Sequence, residues 1–253
     1  MKTLILSLIV IICITSCQDD DPTPNENEQL TFTDSFDGTG ALNGYVTNNE
    51  SSLPSVSQKN GRYYAELTDN SNNKTLHFHG DQGRLDAIKA QFPFEFVAIE
   101  IGIGMIDDEL TAPGSSGDPY NFAGVQVHAL DLSEPTSSHV VVGHRGGVSF
   151  TIEGKNTVNG SSSVDDIGFN KVPEGRANIR IVGNEDRTLT VYWQRIDETE
   201  WNLYNDTGNL PGPLPVFENE VYIGLITYAY GDTNIPFVGT CEEISLDNYI
   251  KED

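Results

Sequence analysis

Residues 177–194 read Ala-Asn-Ile-Arg-Ile-Val-Gly-Asn-Glu-Asp-Arg-Thr-Leu-Thr-Val-Tyr-Trp-Gln, and this stretch decides the fold class. Its two halves are rich in β-branched and aromatic residues, and a segment of turn-forming residues separates them. In the second half, Leu189, Val191 and Trp193 alternate with more polar residues, so they share one face of a strand. The pattern predicts an antiparallel hairpin with one buried face, and it predicts that Trp193 lies in the core.

Strands of the same type recur along the rest of the chain, separated by clusters of Gly, Asn, Asp and Pro. They are predicted at residues 94–103, 123–129, 139–142, 148–152, 177–182, 188–194 and 221–230. Only residues 83–91, Gly-Arg-Leu-Asp-Ala-Ile-Lys-Ala-Gln, have the composition of a short helix. The sequence therefore predicts an all-β domain, an antiparallel sandwich of two sheets, over residues 30–253.

The N-terminus has the features of an export signal. Lys2 precedes an apolar run at residues 4–14, which is too short to span a bilayer but has the length of a signal-peptide core. Ser16 and Cys17 follow, and a small residue before a cysteine at the end of such a run resembles the lipobox of bacterial lipoproteins. The resemblance implies that residues 1–16 are removed and that Cys17 carries the lipid; an ordinary secretory signal with an incidental cysteine is the alternative.

Residues 17–29 are acidic, contain two prolines and have no apolar run to bury, which predicts a disordered tether. An acidic stretch directly after the lipid cysteine is similar to the surface-export signal of Bacteroidetes lipoproteins, although a plain solvated linker has the same composition. The resemblance implies a domain on the exterior of the bacterial outer membrane, attached to the membrane through Cys17.

The chain is strongly acidic, with 14 Lys and Arg against 38 Asp and Glu and a formal net charge of −24. Loss of Lys2 with the signal peptide changes this to 13 − 38 = −25. A chain of this charge has no electrostatic surface for nucleic acid, which excludes nucleic acid as a partner. It also repels anionic polysaccharides unless a local basic patch overrides the global field.

The three cysteines leave no pair for an internal disulfide. Cys13 leaves with the signal peptide and Cys17 takes the lipid, so Cys241 is the one ordinary cysteine of the mature chain. We expect Cys241 to be a small buried residue and not a nucleophile.

Three segments together resemble the concanavalin A-like jelly rolls. Residues 31–38, Thr-Phe-Thr-Asp-Ser-Phe-Asp-Gly, resemble their opening strand, and residues 243–250, Glu-Ile-Ser-Leu-Asp-Asn-Tyr-Ile, resemble their last strand. The hairpin at 178–192 matches their common hairpin, and the resemblance spans most of residues 30–250. The superfamily includes lectins, carbohydrate-binding modules, glycoside hydrolases and polysaccharide lyases, so the fold does not decide the function.

In several of these relatives the first and last strands together hold a structural calcium ion. Asp34 and Asp247 are the matching carboxylates, and the resemblance implies that backbone carbonyls complete the oxygen ligands. The alternative is that the two aspartates cap turns. No organic cofactor is expected.

The hydrolase motif of the superfamily, roughly Glu-x-Asp-x-x-Glu, is absent. Residues 95–100, Glu-Phe-Val-Ala-Ile-Glu, lack the middle acid and place their two glutamates on opposite faces. The acidic residues at 197–200 lie between turns. Retaining glycoside hydrolysis needs two carboxylates that flank one bond, so it is disfavoured.

All five histidines fall between residues 77 and 144, which is the most informative feature for function. Strand alternation puts His77 and His79 on one face of their segment, and it puts Gln126 and His128 on one face of another. Arg84 and Arg145 are close in sequence to His79 and His144. The pattern predicts a polar groove in which His77, His79, Arg84 and His144 bind substrate.

Gln126-Val127-His128 resembles the Gln-x-His motif of jelly-roll alginate lyases. A lyase neutralises a uronate carboxylate, abstracts a proton and protonates the leaving oxygen. The resemblance implies Gln126 and His128 for these tasks, and the chemistry adds Arg145 and a tyrosine, either Tyr228 or Tyr230. Two other motifs of those lyases, Arg-Ser/Thr-Glu-Leu and Tyr-Phe-Lys-x-Gly-x-Tyr, are absent. If the chain is an enzyme, lyase chemistry is therefore favoured over hydrolysis.

Binding of an extracellular polysaccharide without cleavage is the first functional prediction. Trp201 lies in a polar segment and Tyr230 ends a predicted strand, so both are candidate platforms for sugar rings. The lyase is the alternative, and a structural or adhesive surface protein is the third class. The acidic chain favours a neutral glycan and the His and Arg set favours a uronate, so local charge decides between them.

Overall fold

The computed structural model describes six parts of the chain: residues 30–48, 55–67, 84–104, 120–145, 150–230 and 237–251. The predicted signal peptide, Cys17, the acidic tether, His77 and His79 lie outside the described residues, so those predictions stay predictions. Among the described residues, no helix is long and apolar enough to cross a membrane.

Seventeen strands form two antiparallel sheets in the described residues. In chain order they are β1 (Thr31–Asp34), β2 (Val46–Asn48), β3 (Ser55–Lys59), β4 (Arg62–Leu67), β5 (Arg84–Gln91), β6 (Phe94–Gly104), β7 (Tyr120–His128), β8 (Ser137–Arg145), β9 (Phe150–Val158), β10 (Ser161–Asp166), β11 (Arg176–Gly183), β12 (Leu189–Gln194), β13 (Asn202–Leu203), β14 (Glu220–Tyr230), β15 (Phe237–Cys241), β16 (Glu243–Asp247) and β17 (Tyr249–Ile250).

One sheet has nine strands in the order β13-β12-β11-β6-β15-β4-β3, with β16 also paired to β6 and β1 paired to β16. The other has eight strands in the order β10-β9-β8-β7-β14-β5-β17, with β2 also paired to β5. The prediction of an all-β sandwich of two antiparallel sheets is confirmed.

The core lies between the two sheets and comes from alternate residues of their facing strands. Val125 and Val127 of β7 and Ile179 and Ile181 of β11 are buried in it. Trp193 belongs to the same core, as the alternation of β12 predicted. Burial of each such side chain stabilises the fold by about 1.5–3 kcal/mol, so strand alternation sets which face of each sheet turns inward.

The predicted helix at residues 83–91 is wrong, because Arg84–Gln91 is strand β5. This strand is paired to β14 along one side and to β2 and β17 along the other. Asp86 is fully buried, and its carboxylate accepts hydrogen bonds from Tyr63 Oη and Arg84 Nε at 2.7 and 2.8 Å. Pairing on both sides satisfies the backbone inside the sheet and overrides the local helix propensity of the Ala, Leu and Lys residues.

A two-residue turn, Asn159-Gly160, joins β9 to β10, with φ of 49° and 83°. Two consecutive residues with positive φ form the tight hairpin turn that matches the twist of antiparallel strands. The turn sets the register in which Asp166 lies opposite Glu153 and Asp165 lies opposite Gly154.

Candidate functional site

The eight-stranded sheet has one face against the core and one face turned away from the nine-stranded sheet, which we call the outer face. Cross-strand register places Gln126 of β7 opposite His139 of β8, and His139 opposite Lys155 of β9. These three residues therefore share the outer face, since Val125 and Val127 beside Gln126 belong to the core.

Polar residues from five strands gather on this face, together with a small apolar cluster that includes Phe122 and Tyr228. We call the polar set the outer-face cluster: Gln126, His128, His139, Arg145, Glu153, Lys155, Asp166 and Tyr228.

Arg145 and two carboxylates form the ionic centre of the cluster. Its Nε lies 3.3 Å from Glu153 Oε2, and its Nη1 lies 2.5 Å from Asp166 Oδ2. The Tyr228 hydroxyl donates to Glu153 Oε1 at 3.0 Å. Burial of the Glu153 carboxylate has a large desolvation cost, and these two partners offset it by satisfying both of its oxygens.

Burial also changes the acid–base properties of the cluster. It raises the pKa of Glu153, and the positive charge of Arg145 acts in the opposite direction. Burial and the neighbouring Glu153 raise the pKa of Tyr228 well above its usual value, so Tyr228 stays protonated. Burial lowers the pKa of Lys155 to about 8, and the charge of Glu153 opposes that shift.

His139 is the one member of the outer-face cluster with unused hydrogen-bonding capacity on both polar atoms. Its ring is fully buried, and neither ring nitrogen has a hydrogen-bond partner in the described structure. Its ring centroid lies 5.6 Å from that of Tyr228. Burial, and then the charge of Lys155, lower its pKa well below the usual value, so the imidazole is neutral.

Gln126 and His128, the residues of the Gln-x-His resemblance, are both buried on the outer face. Gln126 Nε2 donates to Ser137 Oγ at 3.0 Å. His128 Nδ1 lies 2.8 Å from the carbonyl oxygen of Ala129, so that carbonyl fixes the proton on this ring nitrogen when the ring is neutral.

Gln126, His128, Arg145 and Tyr228, the four residues to which the sequence assigned lyase chemistry, share the outer face but do not meet at one point. His128 lies opposite Ser137 and Arg145 lies opposite Tyr120, which is eight positions, or about 27 Å, along the ladder of β7 and β8. Tyr230 lies opposite Tyr120 at the end of β14.

Arg84 and His144 do not belong to this site, which corrects two predictions. Arg84 lies on the inner side of β5, where its guanidinium pairs with buried Asp86. His144 lies opposite Asn121 on the core side of β8, and its ring centroid is 4.3 Å from that of Phe150. The side chains of Arg84 and His144 are polar, but the strand register places both on the side of the sheet that faces the core.

Trp201 is also remote from the outer face. It directly precedes β13, which pairs with β12 at the edge of the nine-stranded sheet. This position is half-buried, so it is less exposed than the polar surrounding sequence predicted.

Asp34 and Asp247 are not brought together, although their strands β1 and β16 pair as the family resemblance implied. Asp247 lies opposite Thr31, and Asp34 lies opposite Ile244. The two aspartates are therefore three positions apart, about 10 Å along the ladder, and their side chains point to opposite faces. Ca²⁺ needs oxygens at about 2.3–2.6 Å, so these two carboxylates do not form one site.

Both aspartates already accept hydrogen bonds within the protein. Asp34 accepts from the Phe36 backbone N–H at 2.8 Å and from the Tyr45 hydroxyl at 2.9 Å, and Asp247 accepts from the Glu95 backbone N–H. Among the described residues, no group of three or more His, Cys, Asp and Glu is arranged to hold a metal. Calcium binding stays a prediction, without these two residues as joint ligands.

Sequence reasoning missed His139, Glu153, Lys155 and Asp166 as members of the site. Glu153 and Lys155 alternate with Gly154 along β9, so they share a face. Two charged residues at alternate positions of a strand were the available signal. The strand predicted from the sequence ended at residue 152, so it contained neither Glu153 nor Lys155.

Comparison with known proteins gives fold similarity only. No protein-family model matches the chain, and no curated protein matches it in sequence. Its structure is similar to a xylan β-1,4-xylosidase from Bacillus halodurans (TM-score 0.52, 13% identity, covering 85% of this chain and 38% of that one). It is also similar to a bifunctional GH43-CE protein from Bacteroides eggerthii (TM-score 0.54, 14% identity, 86% and 26%).

A protein of unknown function from Shewanella oneidensis is similar over most of both chains (TM-score 0.52, 12% identity, 88% of this chain and 87% of that one). The chain spans less than two-fifths of the length of the xylosidase. At these identities the similarity concerns the fold alone. The two sheets and the fold shared with these neighbours define the class as an all-β sandwich of two antiparallel sheets.

Proposed function

We propose that the domain binds a neutral polysaccharide through the outer face of its eight-stranded sheet. The observation that carries this proposal is a set of partly exposed polar and aromatic side chains on a face that the core does not use: Lys89, Tyr120, Arg145, Asp166 and Tyr222. The other members of the outer-face cluster are buried, so they support this surface and do not contact the glycan. Sugar sites combine aromatic surfaces with a few fixed polar groups. Tyr120 and Tyr222 are half-exposed on this face and supply the aromatic surface.

The charge balance of the outer face favours a neutral glycan. On the described strands this face carries three cations and three acids: Lys89, Arg145, Lys155, Glu153, Asp166 and Glu220. Each cation has an acid beside it. Lys89 Nζ lies 2.7 Å from Glu220, and Arg145 contacts two carboxylates. The negative charge of Glu153 stabilises the charged form of Lys155. A uronate would therefore meet no uncompensated positive charge on these strands, in a chain of net charge −24.

A polysaccharide lyase is the second candidate, and the position of His139 beside Tyr228 supports it. Among the described residues neither ring nitrogen of the neutral His139 imidazole has a hydrogen-bond partner, which suits proton abstraction next to a uronate carboxylate. The full burial of the ring counts against this candidate, because a substrate would not reach it in this conformation. Tyr228 stays protonated and suits donation to the leaving oxygen. Gln126 would then contact the carboxylate. The balanced charge counts against this candidate, because neutralising a carboxylate is the first task of such an enzyme.

Affinity electrophoresis tests the binding proposal. Native gels would contain one polysaccharide each: xylan, mixed-linkage β-glucan and galactomannan as neutral chains, alginate and polygalacturonate as anionic chains. We expect at least one neutral chain to retard the protein. Retardation by the anionic chains alone, or by none, would overturn the proposal for a neutral ligand.

Tyr222→Ala is the matched variant for this assay, and Tyr192→Ala is its control. Tyr222 is half-buried on the outer face, and Tyr192 is half-buried on the nine-stranded sheet beside Arg180. Loss of one stacking surface should weaken retention by about 3- to 10-fold for Tyr222→Ala only. Absorbance at about 235 nm during incubation with alginate or polygalacturonate tests the lyase, because elimination creates an unsaturated product.

We also propose that the domain is attached by a lipid at Cys17 to the exterior of the outer membrane. The apolar run, the cysteine at its end and the acidic tether support this location. Cys17→Ser should release the protein from the membrane fraction. Protease added to intact cells should degrade the wild-type protein, and protection of the domain would contradict exposure at the surface.

A further inference from the structure

A cleft lies at the edge of the sandwich, away from the outer face. It has a volume of about 280 Å³ and lies between the segment 202–206 and the connection from β10 to β11. We call it the edge cleft; its lining is Ile167, Lys171, Trp193, Asn202, Leu203, Asn205 and Asp206. Its volume is close to the lower end of the range for ligand sites, about 300 Å³, which fits a single sugar ring.

The polar side of the edge cleft is held in place by β10. Tyr204 is fully buried, and its hydroxyl donates to Asp165 Oδ1 at 2.6 Å. Asn205 Nδ2 donates to Asp165 Oδ2, also at 2.6 Å. Asn205 and Asp206 both have positive φ, 45° and 57°. Backbone of this kind costs free energy and persists only where neighbouring contacts fix it, so these anchors give the cleft one defined shape.

The lining has the mixed chemistry of a sugar site. Lys171 and Asp206 carry opposite charges, so they present both a donor and an acceptor with no net charge. Asn202 is exposed and its amide offers both functions. Leu203 is 38% exposed and supplies apolar surface at the rim of the cleft. Hydroxyls of a neutral sugar satisfy such donors and acceptors while its C–H face covers the apolar rim.

We infer that the edge cleft is a second glycan-binding site, which takes one sugar residue of a neutral polysaccharide. This inference rests on the proposed function for the class of ligand, but it concerns a different surface. Asp165 and Asp166 are consecutive on β10: the first anchors the edge cleft, and the second pairs with Arg145 on the outer face. The two sites therefore lie on either side of one edge strand, and a chain bound at both gains affinity through the second contact.

The two tryptophans of the chain make the edge cleft directly observable. Trp193 lines it and Trp201 directly precedes Asn202, and the sequence contains no third tryptophan. The full chain, labelled with ¹⁵N at the indole nitrogens and purified in detergent micelles, would be titrated with oligosaccharides of xylan, mixed-linkage β-glucan and galactomannan. We expect one of these probes to shift the indole signals saturably.

A double variant with Lys171→Ala and Asn202→Ala tests the assignment, and Glu200→Gln, in the same loop but outside the lining, is its control. Both substituted residues are exposed, so the fold should survive. Loss of their hydrogen bonds should weaken the titration by about tenfold or more, with no change in the control.

The other outcomes separate this inference from the proposed function. Retention in neutral-glycan gels without an indole shift would mean that the glycan binds outside the edge cleft. That result would overturn the inference about the edge cleft and would be consistent with binding at the outer face. A saturable shift that Tyr222→Ala does not weaken would support the edge cleft alone. Neither retention nor a shift would overturn both.

Discussion

Acid should destabilise this domain through His139, by an amount that the structure allows us to work out. The imidazole is fully buried, has no hydrogen-bond partner in the part of the chain that the structure describes, and lies beside Lys155, so its pKa in the folded protein is well below the usual value. In the unfolded chain it titrates near the usual value of about 6.5. Below that pH the unfolded state binds the extra proton, so stability is complete above about 6.5 and falls on acidification.

The free energy of unfolding should fall by about 1.4 kcal/mol per pH unit once the pH is clearly below 6.5. Between pH 7.5 and pH 5.5 this one group contributes up to about 1.4 kcal/mol. His139→Gln keeps a polar side chain of similar reach but cannot take up the proton. Urea unfolding of both proteins across this range isolates His139, because every other titrating group contributes equally to the two curves. Parallel curves for wild type and variant would refute the reasoning.

Three further predictions concern single contacts. Tyr228→Phe removes the hydroxyl that donates to buried Glu153, so unfolding in urea should show a loss of about 1–3 kcal/mol; an unchanged midpoint would contradict the buried pair. Cys241 is fully buried and burial raises its pKa, so maleimide at neutral pH should label its peptide only after unfolding, as mass spectrometry would detect. A Cβ at Gly154 would lie 2.5 Å from the Tyr204 hydroxyl, so Gly154→Ala should cost about 1–3 kcal/mol in the same urea assay, and wild-type stability would contradict that contact.

The strands were predictable because their signal is local. Leu189, Val191 and Trp193 each follow the last at two-residue spacing, and the structure buries all three in the core. The segments that the family resemblance identified as opening and closing strands are strands β1 and β16 in the structure, and they pair with each other. Cys241 is buried, as expected for a lone small apolar residue, and its thiol lies 3.4 Å from the Ile99 carbonyl oxygen.

The segment 83–91 was misread because its residues favour a helix and its environment does not. The pairing of β5 on both sides, with β14 along one edge and with β2 and β17 along the other, depends largely on strands far away in sequence, and no local pattern records it. Asp86 added to the error, since a charged residue at a core-facing position is uncommon. Its partners Arg84 and Tyr63 explain how it is tolerated.

The site was predictable in part for the same reason. Gln126 and His128 share a face by local alternation, but the meeting of Gln126 with His139 depends on the register between two strands. The inward position of His144 was readable, because His139 and His144 are five positions apart on β8 and must face opposite sides. The network around Glu153 required knowledge of three separate strands, which one sequence does not supply.

The Asn159-Gly160 turn has a consequence for how this chain tolerates change in length. Side-chain direction along β10 has a period of two, so an insertion in the turn that shifted the pairing of β10 with β9 by one residue would exchange the directions of Asp165 and Asp166. Asp165, which anchors the edge cleft, would then point outward, and Asp166, the partner of Arg145, would point toward the core. A single insertion that touches no ligand-contacting residue would dismantle both surfaces at once, so natural variation in loop length should avoid this hairpin.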